Sequence, residues 1–338
     1  MTRLKSNAEQ ADRVPLAGSL PLASPFTLYV FPSNACNFRC SYCAHSLSDG
    51  ELFQTYGVGS EMMSLDTMRL IVEQSANFAP YKLLQFVSQG EPLLNRDLPQ
   101  MIKMAASAGI AKRIEIITNA SLLTREYSDA LIDSGLTNLR VSLQGLDKET
   151  YRRICGIALD FDTLLEHLAY FYQHKKPEMG LFVKIMDIAL PPVGVTPNAA
   201  AEFYKLLNGK CDRMSVEYVQ PVYHAVGVQQ NAVLRDRYGN EHSPRFVCPF
   251  PFYQMCIWPN GDIQPCDAIY RACSLGNVHG ATLREIWNGE RLRDFRLAQL
   301  RDGYKSLPKC ENCCAPDDCS SPLDVLDGER ERLINLFS

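Results

Sequence analysis

Long hydrophobic runs are missing from this sequence. No uninterrupted apolar stretch reaches the roughly 18 residues a membrane-spanning helix needs, so no membrane partner is expected. An excess of positive charge is missing as well: 34 Lys and Arg stand against 38 Asp and Glu, a formal net charge of −4. Nucleic acid and anionic membrane surfaces both call for a basic face, so neither is an expected partner. The opening MTRLKSNAEQADRVP lacks the apolar core of a secretory signal. A cytoplasmic location is therefore expected. No internal repeat, no long low-complexity stretch and no glycine-rich phosphate-binding loop breaks the pattern.

What is there is an ordinary globular composition with one surplus. Hydrophobic residues make up 46% and charged residues 21% of 338, enough for a full core and a smaller second unit. The surplus is cysteine, thirteen in all. In a reducing compartment disulfides do not account for them, which leaves metal ligation, catalysis or burial.

Residues 1–24 are polar with scattered prolines and read as a flexible lead-in. Short apolar runs then alternate with helical periodicity. Strands are expected at 26–31, 83–88, 113–118, 139–143, 181–188 and 214–219, with amphipathic helices between them. Alternation at this rhythm implies parallel βα units with right-handed crossovers. Six units are too few for a closed eight-stranded barrel, so a partial barrel or an open α/β sheet remains. Beyond about residue 244 the cysteines become dense. FYQMCIWPNGDIQPC reads as a hairpin turning at Asn260–Gly261, followed by one amphipathic helix at about 282–300. A boundary near 240 divides the chain into a barrel unit, 25–240, and a smaller unit, 241–338.

The segment ACNFRCSYCAHS carries Cys36, Cys40 and Cys43 as C-x3-C-x2-C, on the loop after the first strand. Short-spaced cysteines hold iron–sulfur clusters, and three thiolates leave a four-iron cluster with one iron open to an outside ligand. A zinc site would want a fourth protein ligand, and only His45 is near. On this loop, with Tyr42 just before its last cysteine, the sequence resembles the radical S-adenosylmethionine (SAM) superfamily over roughly residues 26–313. The resemblance implies a partial (β/α)6 TIM-like barrel. It also implies SAM chelated at the open iron and cleaved by one electron to a 5′-deoxyadenosyl radical that abstracts a substrate hydrogen. The reducing partner would be an electron donor such as flavodoxin or ferredoxin.

Other strand ends agree with that resemblance, and barrels of this kind build their sites at the carboxyl ends of strands. SQGEPLL is similar to the family's GGEP segment, with Gln89 in place of the first glycine; Gly90, Glu91 and Pro92 then face the methionine amino group. ITNAS is similar to a TNG turn with Ala120 for glycine, which implies Thr118 and Asn119 as ribose or methionine neighbours. VSLQG implies Ser142 and Gln144 near the SAM ribose and carboxylate.

The later cysteines are similar to the SPASM/twitch extension of the same superfamily. Cys248-x12-Gly261-x4-Cys266 is followed by LGNVHGATLREIWNGE and then Cys310-x2-Cys313. A full SPASM domain needs further cysteines, and Leu323 stands where one is expected. The resemblance thus implies one auxiliary 4Fe–4S cluster on Cys248, Cys266, Cys310 and Cys313, in a small hairpin-plus-helix domain. Cys314 and Cys319 stay open as ligands of further iron. Cys155, Cys211, Cys256 and Cys273 read as buried structural residues, Cys256 and Cys155 being alternative hydrogen-atom donors.

A single auxiliary cluster is similar to that of aminocyclitol dehydrogenases, which implies oxidation of a sugar or aminocyclitol alcohol to a ketone. The base such a reaction needs is sought among Lys184, Asp187 and Glu217 on the late strands. Epimerisation with a cysteine donor, Cys256, is the alternative. Modification of a ribosomal peptide is a third, disfavoured because about 24 residues before the first strand leave no room for a winged-helix recognition unit. The expected substrate is therefore a small molecule or a peptide.

Overall fold

The computed structural model describes residues 3–4, 13–87, 89–190, 199–227 and 235–338. Ser88, the last residue of the expected second strand, and most of the lead-in before residue 13 lie outside the described residues.

One ten-stranded sheet organises the chain: β1 (Arg3–Leu4), β2 (Thr27–Val30), β3 (Leu83–Phe86), β4 (Ile114–Thr118), β5 (Asn138–Leu143), β6 (Gly180–Met186), β7 (Arg213–Glu217), β8 (Gln254–Ile257), β9 (Asp262–Gln264) and β10 (Gly276–Asn277). Strands β2 to β7 lie side by side in chain order and all pair in parallel, one for each of the six expected strands. At one edge β1 pairs with β7. At the other, β8 runs parallel to β2, with Thr27 opposite Gln254 and Tyr29 opposite Cys256. Strands β9 and β10 then continue antiparallel. The expected hairpin is there, turning at Gly261, whose φ of 85° a side chain rarely tolerates. The smaller unit thus joins the barrel's own sheet.

Helices return the chain between strands: α1 (Asp49–Tyr56), α2 (Leu65–Ser75), α3 (Leu98–Ser107), α4 (Arg125–Asp133), α5 (Lys148–Cys155), α6 (Phe161–His174) and α7 (Ala199–Leu207). Ser48, Ser64, Thr124, Asp147 and Asp160 each cap a helix by accepting a backbone N–H three residues on. Each such cap contributes about 1 kcal/mol. Beyond the hairpin, the single helix expected at 282–300 is two, Leu283–Trp287 and Glu290–Asp302. Asn288–Gly289, two poor helix formers, break it there, where Trp287 turns inward and donates its indole N–H to the Leu22 carbonyl at 3.0 Å.

Side chains alternate between the two faces of each strand. Leu28, Leu84, Ile116, Leu139, Val183 and Met214 point outward into the main core with the helices. The residues between them point inward, and most strands place a polar or charged side chain there. Leu16 and Leu20 of the lead-in are buried against Val247, Leu300 and Leu326, closing a second core.

Candidate active site and cluster-binding loops

The three-cysteine loop leaves the end of β2 and is braced by the end of α5. Arg39 N–H donates to the Cys155 carbonyl at 3.0 Å and Ser41 N–H to that of Ile154 at 2.8 Å. Within the loop Cys43 N–H reaches back to the Cys40 carbonyl at 2.9 Å. Burial pushes the Cys36 thiol up to about 12 and the Cys43 thiol up to about 11. Cys40 is raised further, first by the Cys155 thiol, 3.8 Å away, and then by burial. Left alone, these thiols stay protonated at neutral pH; iron coordination removes such protons outright.

Two neighbours of the loop gain roles that the sequence did not give them. The Tyr42 hydroxyl donates to the Gln144 amide oxygen. Burial pushes the His45 imidazole down, so the ring is neutral, and its Nε2–H donates to the Gln89 carbonyl.

Gly90, Glu91 and Pro92 lie against this loop. Glu91 N–H donates to the Ala35 carbonyl at 2.8 Å, and a Cβ on Gly90 would sit 2.3 Å from that same oxygen. Only glycine fits. Glu91 is buried and accepts from the Thr118 hydroxyl at 2.5 Å, the Asn119 N–H at 2.8 Å and the Leu93 N–H at 2.9 Å. Burial pushes its carboxyl up to about 7, outweighing these three bonds. All three donors are neutral, so this donor set fits a cationic ligand group such as the SAM ammonium. Asn119 also reaches Asn37 of the cysteine loop at 3.0 Å. Ala120 holds φ at 59°, the left-handed conformation that suits glycine. Ser142 is half-buried opposite Lys184, and its carbonyl receives the Gln144 amide at 3.4 Å.

Inside the barrel is a cavity of about 1140 Å³. Each barrel strand contributes at least one polar side chain to it, among them Tyr29, Gln85, Glu115, Arg140, Lys184 and Glu217, from β2 to β7 in turn. Gln85 donates to Glu115, which also accepts from Arg140 at 3.1 Å. Lys184 Nζ stands 2.6 Å from Glu217 Oε2, and Arg140 stands 3.9 Å from Glu217 Oε1. Burial alone would raise the Glu217 carboxyl, but Lys184, Arg237 and Arg140 together hold it below the usual range. Burial pushes Lys184 down despite its partner. Arg237, in the chain just before the boundary, and Asp267, Cys313 and Cys319 of the C-terminal unit close the wall.

The structure separates the other two candidate catalytic residues from this cavity. The Asp187 carboxylate accepts N–H groups of Ile188 at 3.0 Å and Val219 at 2.9 Å, tying together the chain beyond β6 and β7. Cys256 is fully buried among Phe31, Trp258 and Ile269 and is not on the cavity wall.

Cys248, Cys266 and Cys310 gather around Phe250 and Tyr304 with Cys319 in the same cluster, and Cys313 stands close enough to act electrostatically on Cys248 and Cys266. Burial raises all four expected ligands, and each of Cys248 and Cys266 is pushed further up by Cys313 and Cys310. None of the thirteen cysteines forms a disulfide. Among the described residues no three Cys, His, Asp or Glu side chains converge on a single metal ion. A four-iron cluster is larger and takes each thiolate at a different corner, so two buried and two half-buried thiols close together suit it. Gln89, whose carbonyl accepts from His45, bridges the first loop to the chain beside Cys266: its Nε2–H donates to the Asp267 carbonyl at 2.6 Å.

Fold and site define a partial α/β barrel that holds a three-cysteine loop beside a four-thiol nest. The sequence matches the Radical SAM superfamily over residues 30–207 and the SPASM iron-sulfur cluster-binding domain over residues 248–314. The chain belongs to the radical SAM superfamily, and its cofactors are 4Fe–4S clusters and SAM. Its relatives include the GTP 3′,8-cyclase of Staphylococcus carnosus, 30% identical over 41% of this chain and 39% of that protein. The probable GTP 3′,8-cyclase of Methanococcus maripaludis is 36% identical over 38% of this chain and 39% of that one. The chain thus spans about two-fifths of the length of the curated relatives it matches.

Similar solved structures include Streptococcus suis SuiB bound to precursor peptide SuiA, at 18% identity and a TM-score of 0.64 over 88% of this chain and 71% of that one. Another is anSMEcpe with bound AdoMet, at 16% identity and 0.61 over 92% and 96%. BtrN in complex with AdoMet and 2-DOIA gives 18% identity and 0.53 over 85% and 92%. At these identities the likeness is one of fold. Among the described residues no helix is long and apolar enough to cross a membrane.

Sequence reasoning missed Tyr29, Glu115, Arg140, Arg237, Asp267 and Cys319 on the cavity wall. A signal for two of them exists: RIEIIT and NLRVSL each carry one charged residue inside an apolar strand. A charge on a strand buried on both sides has to face a lumen.

Proposed function

We propose that this protein is a radical SAM dehydrogenase that oxidises a sugar or aminocyclitol alcohol to a ketone. One observation carries the reading: Cys313 of the four-thiol nest shares a cavity wall with the Lys184–Glu217 pair. Cys36, Cys40 and Cys43 would hold the SAM-binding cluster, with Glu91 receiving the SAM ammonium. Thr118, Asn119, Ser142 and Gln144 lie around the nucleoside. Cys248, Cys266, Cys310 and Cys313 would hold the auxiliary cluster. Together these groups supply, when bound, abstraction of one hydrogen atom from the carbinol carbon and acceptance of the electron left behind.

The chain's own residues handle the remaining proton. A hydroxyl on a radical carbon is far more acidic than its parent alcohol, so the ionised Glu217 suffices as acceptor, and Lys184 steadies its charge. Hydrogen atom, proton and electron add up to the two-electron oxidation of an alcohol. Asp187 and Cys256 have no part in this reading. A flavodoxin or ferredoxin would deliver the initiating electron in the reducing cytoplasm. The GTP 3′,8-cyclases match over too little of their length to carry their substrate to this chain.

Radical epimerisation is the second reading, favoured by Cys319, a thiol on the same cavity wall outside the four-cysteine set. Turnover in deuterated water separates the two. A ketone formed with 5′-deoxyadenosine, and no deuterium at a retained carbon, supports dehydrogenation. Deuterium at that carbon, lost in Cys319→Ala, sinks it.

A further inference from the structure

Arg237 stands on the cavity wall. Its backbone N–H donates to the Asp318 carbonyl at 2.8 Å, which fixes the chain at that point. Among the described residues no carboxylate forms an ion pair with its guanidinium, and Nε is buried without a hydrogen-bond partner. The two cations nearest Glu217 are matched: Arg140 holds Glu115 at 3.1 Å, and Lys184 holds Glu217 at 2.6 Å.

Glu217 has the complementary gap. Lys184 engages Oε2, while Oε1 is buried with no hydrogen-bond donor in a residue only 2% exposed. Arg140, 3.9 Å from Oε1, attracts it without bonding to it. A buried carboxylate oxygen without a donor is costly, so an occupant able to donate there is favoured.

Charge then decides what kind of occupant fits. Of the other carboxylates on the wall, Asp324 is engaged with Arg13 and Asp267 with Gln254 at 3.1 Å, while Glu178 is exposed to solvent. An ammonium placed at Oε1 would stand among Lys184, Arg140 and Arg237 and be repelled. A hydroxyl donates there without adding charge. Arginine's planar fork pairs best with a carboxylate or a phosphate.

We propose that the cavity takes an anionic polyol, its acidic group on Arg237 and one hydroxyl on Glu217 Oε1. Arg237 is then the specificity-determining residue. The hydroxyl's fate rests on the dehydrogenation reading, in which it is the alcohol oxidised. The charge requirement selects an acid-bearing sugar over a cationic aminocyclitol.

Calorimetric titration of the cluster-loaded enzyme with SAM present tests this, using gluconate, glucose 6-phosphate, glucose and glucosamine as probes. At least one acidic probe should bind about tenfold or more tighter than glucose, and glucosamine weakest. Arg237→Gln should erase the acid's advantage over glucose measured in the same variant, and Arg237→Lys should restore part of it. Preference for gluconate assigns a carboxylate; preference for glucose 6-phosphate assigns a phosphate. Equal binding of glucose and both acids, tighter binding of glucosamine, an acid preference that survives Arg237→Gln, or no acid binding in the millimolar range overturns the proposal. Circular dichroism and iron content verify that each variant is folded and loaded. Binding is read without turnover, so an Arg237-dependent preference with no ketone product would sink the dehydrogenase reading and leave the anion site standing.

Discussion

The Thr118 hydroxyl donates to Glu91 at 2.5 Å, joining the chain beyond β3 to the end of β4. Glu91 has no cationic partner among the described residues, and burial holds its carboxyl at about 7 against an ordinary 4.5. A raised carboxyl favours the folded state most below pH 4.5, and that contribution is lost as the pH rises through about 7. A cationic ligand requires the ionised form, so SAM affinity should rise with pH up to about 7 and then level off. Binding measured across that range should show the slope in the native protein and a flat, weaker profile in Glu91→Gln. The same slope in both would remove Glu91 from SAM recognition.

Glu217→Gln should separate radical formation from product formation. The amide keeps the shape but cannot take a proton, and general bases contribute about 10²–10⁴-fold. Production of 5′-deoxyadenosine should persist while ketone falls by at least about 100-fold. If both products fall together, Glu217 acts before hydrogen abstraction.

Gly90→Ala should damage the first site without unfolding the barrel. The new Cβ would press on the Ala35 carbonyl, a backbone atom that cannot turn aside. The expected outcome is loss of SAM binding and of iron from the first loop, with far-UV circular dichroism unchanged. Native SAM affinity in this variant would contradict the close approach.

Iron content tests the ligand sets. Two four-iron clusters give about eight irons per chain, and Cys266→Ser should leave about four. Cys319→Ser should leave about eight. Loss of iron from the Cys319 variant, or about twelve irons in the native protein, would require a further cluster on Cys314 and Cys319.

Much of the fold was legible because it rests on local periodicity. LFVKIMDI and RIEIIT declare strands by their β-branched and aliphatic runs, and the Asn260–Gly261 turn declares its hairpin. The cluster loops were legible because ligand spacing is a short-range property. The cavity was not. Arg140, Glu217 and Arg237 meet only through barrel closure, and nothing near Arg237 in sequence says that it faces Glu217. The break at Asn288–Gly289 was hidden for a related reason: a packed Trp287, reaching Leu22, decides where that helix ends. Cys256 looked available because it lies between two cluster ligands in sequence, whereas burial among Phe31 and Trp258 is a tertiary fact.

The pairing of β2 with β8 also sets an order of events during synthesis. Thr27–Val30 leaves the ribosome early, and β3 soon covers one of its edges, but the other edge waits for Gln254–Ile257. Until most of the chain has emerged, a bare strand edge lies directly beside the loop of Cys36, Cys40 and Cys43, open to pairing with other chains. The wall beside the first cysteine loop is therefore finished only by a strand that lies more than 200 residues further along the chain.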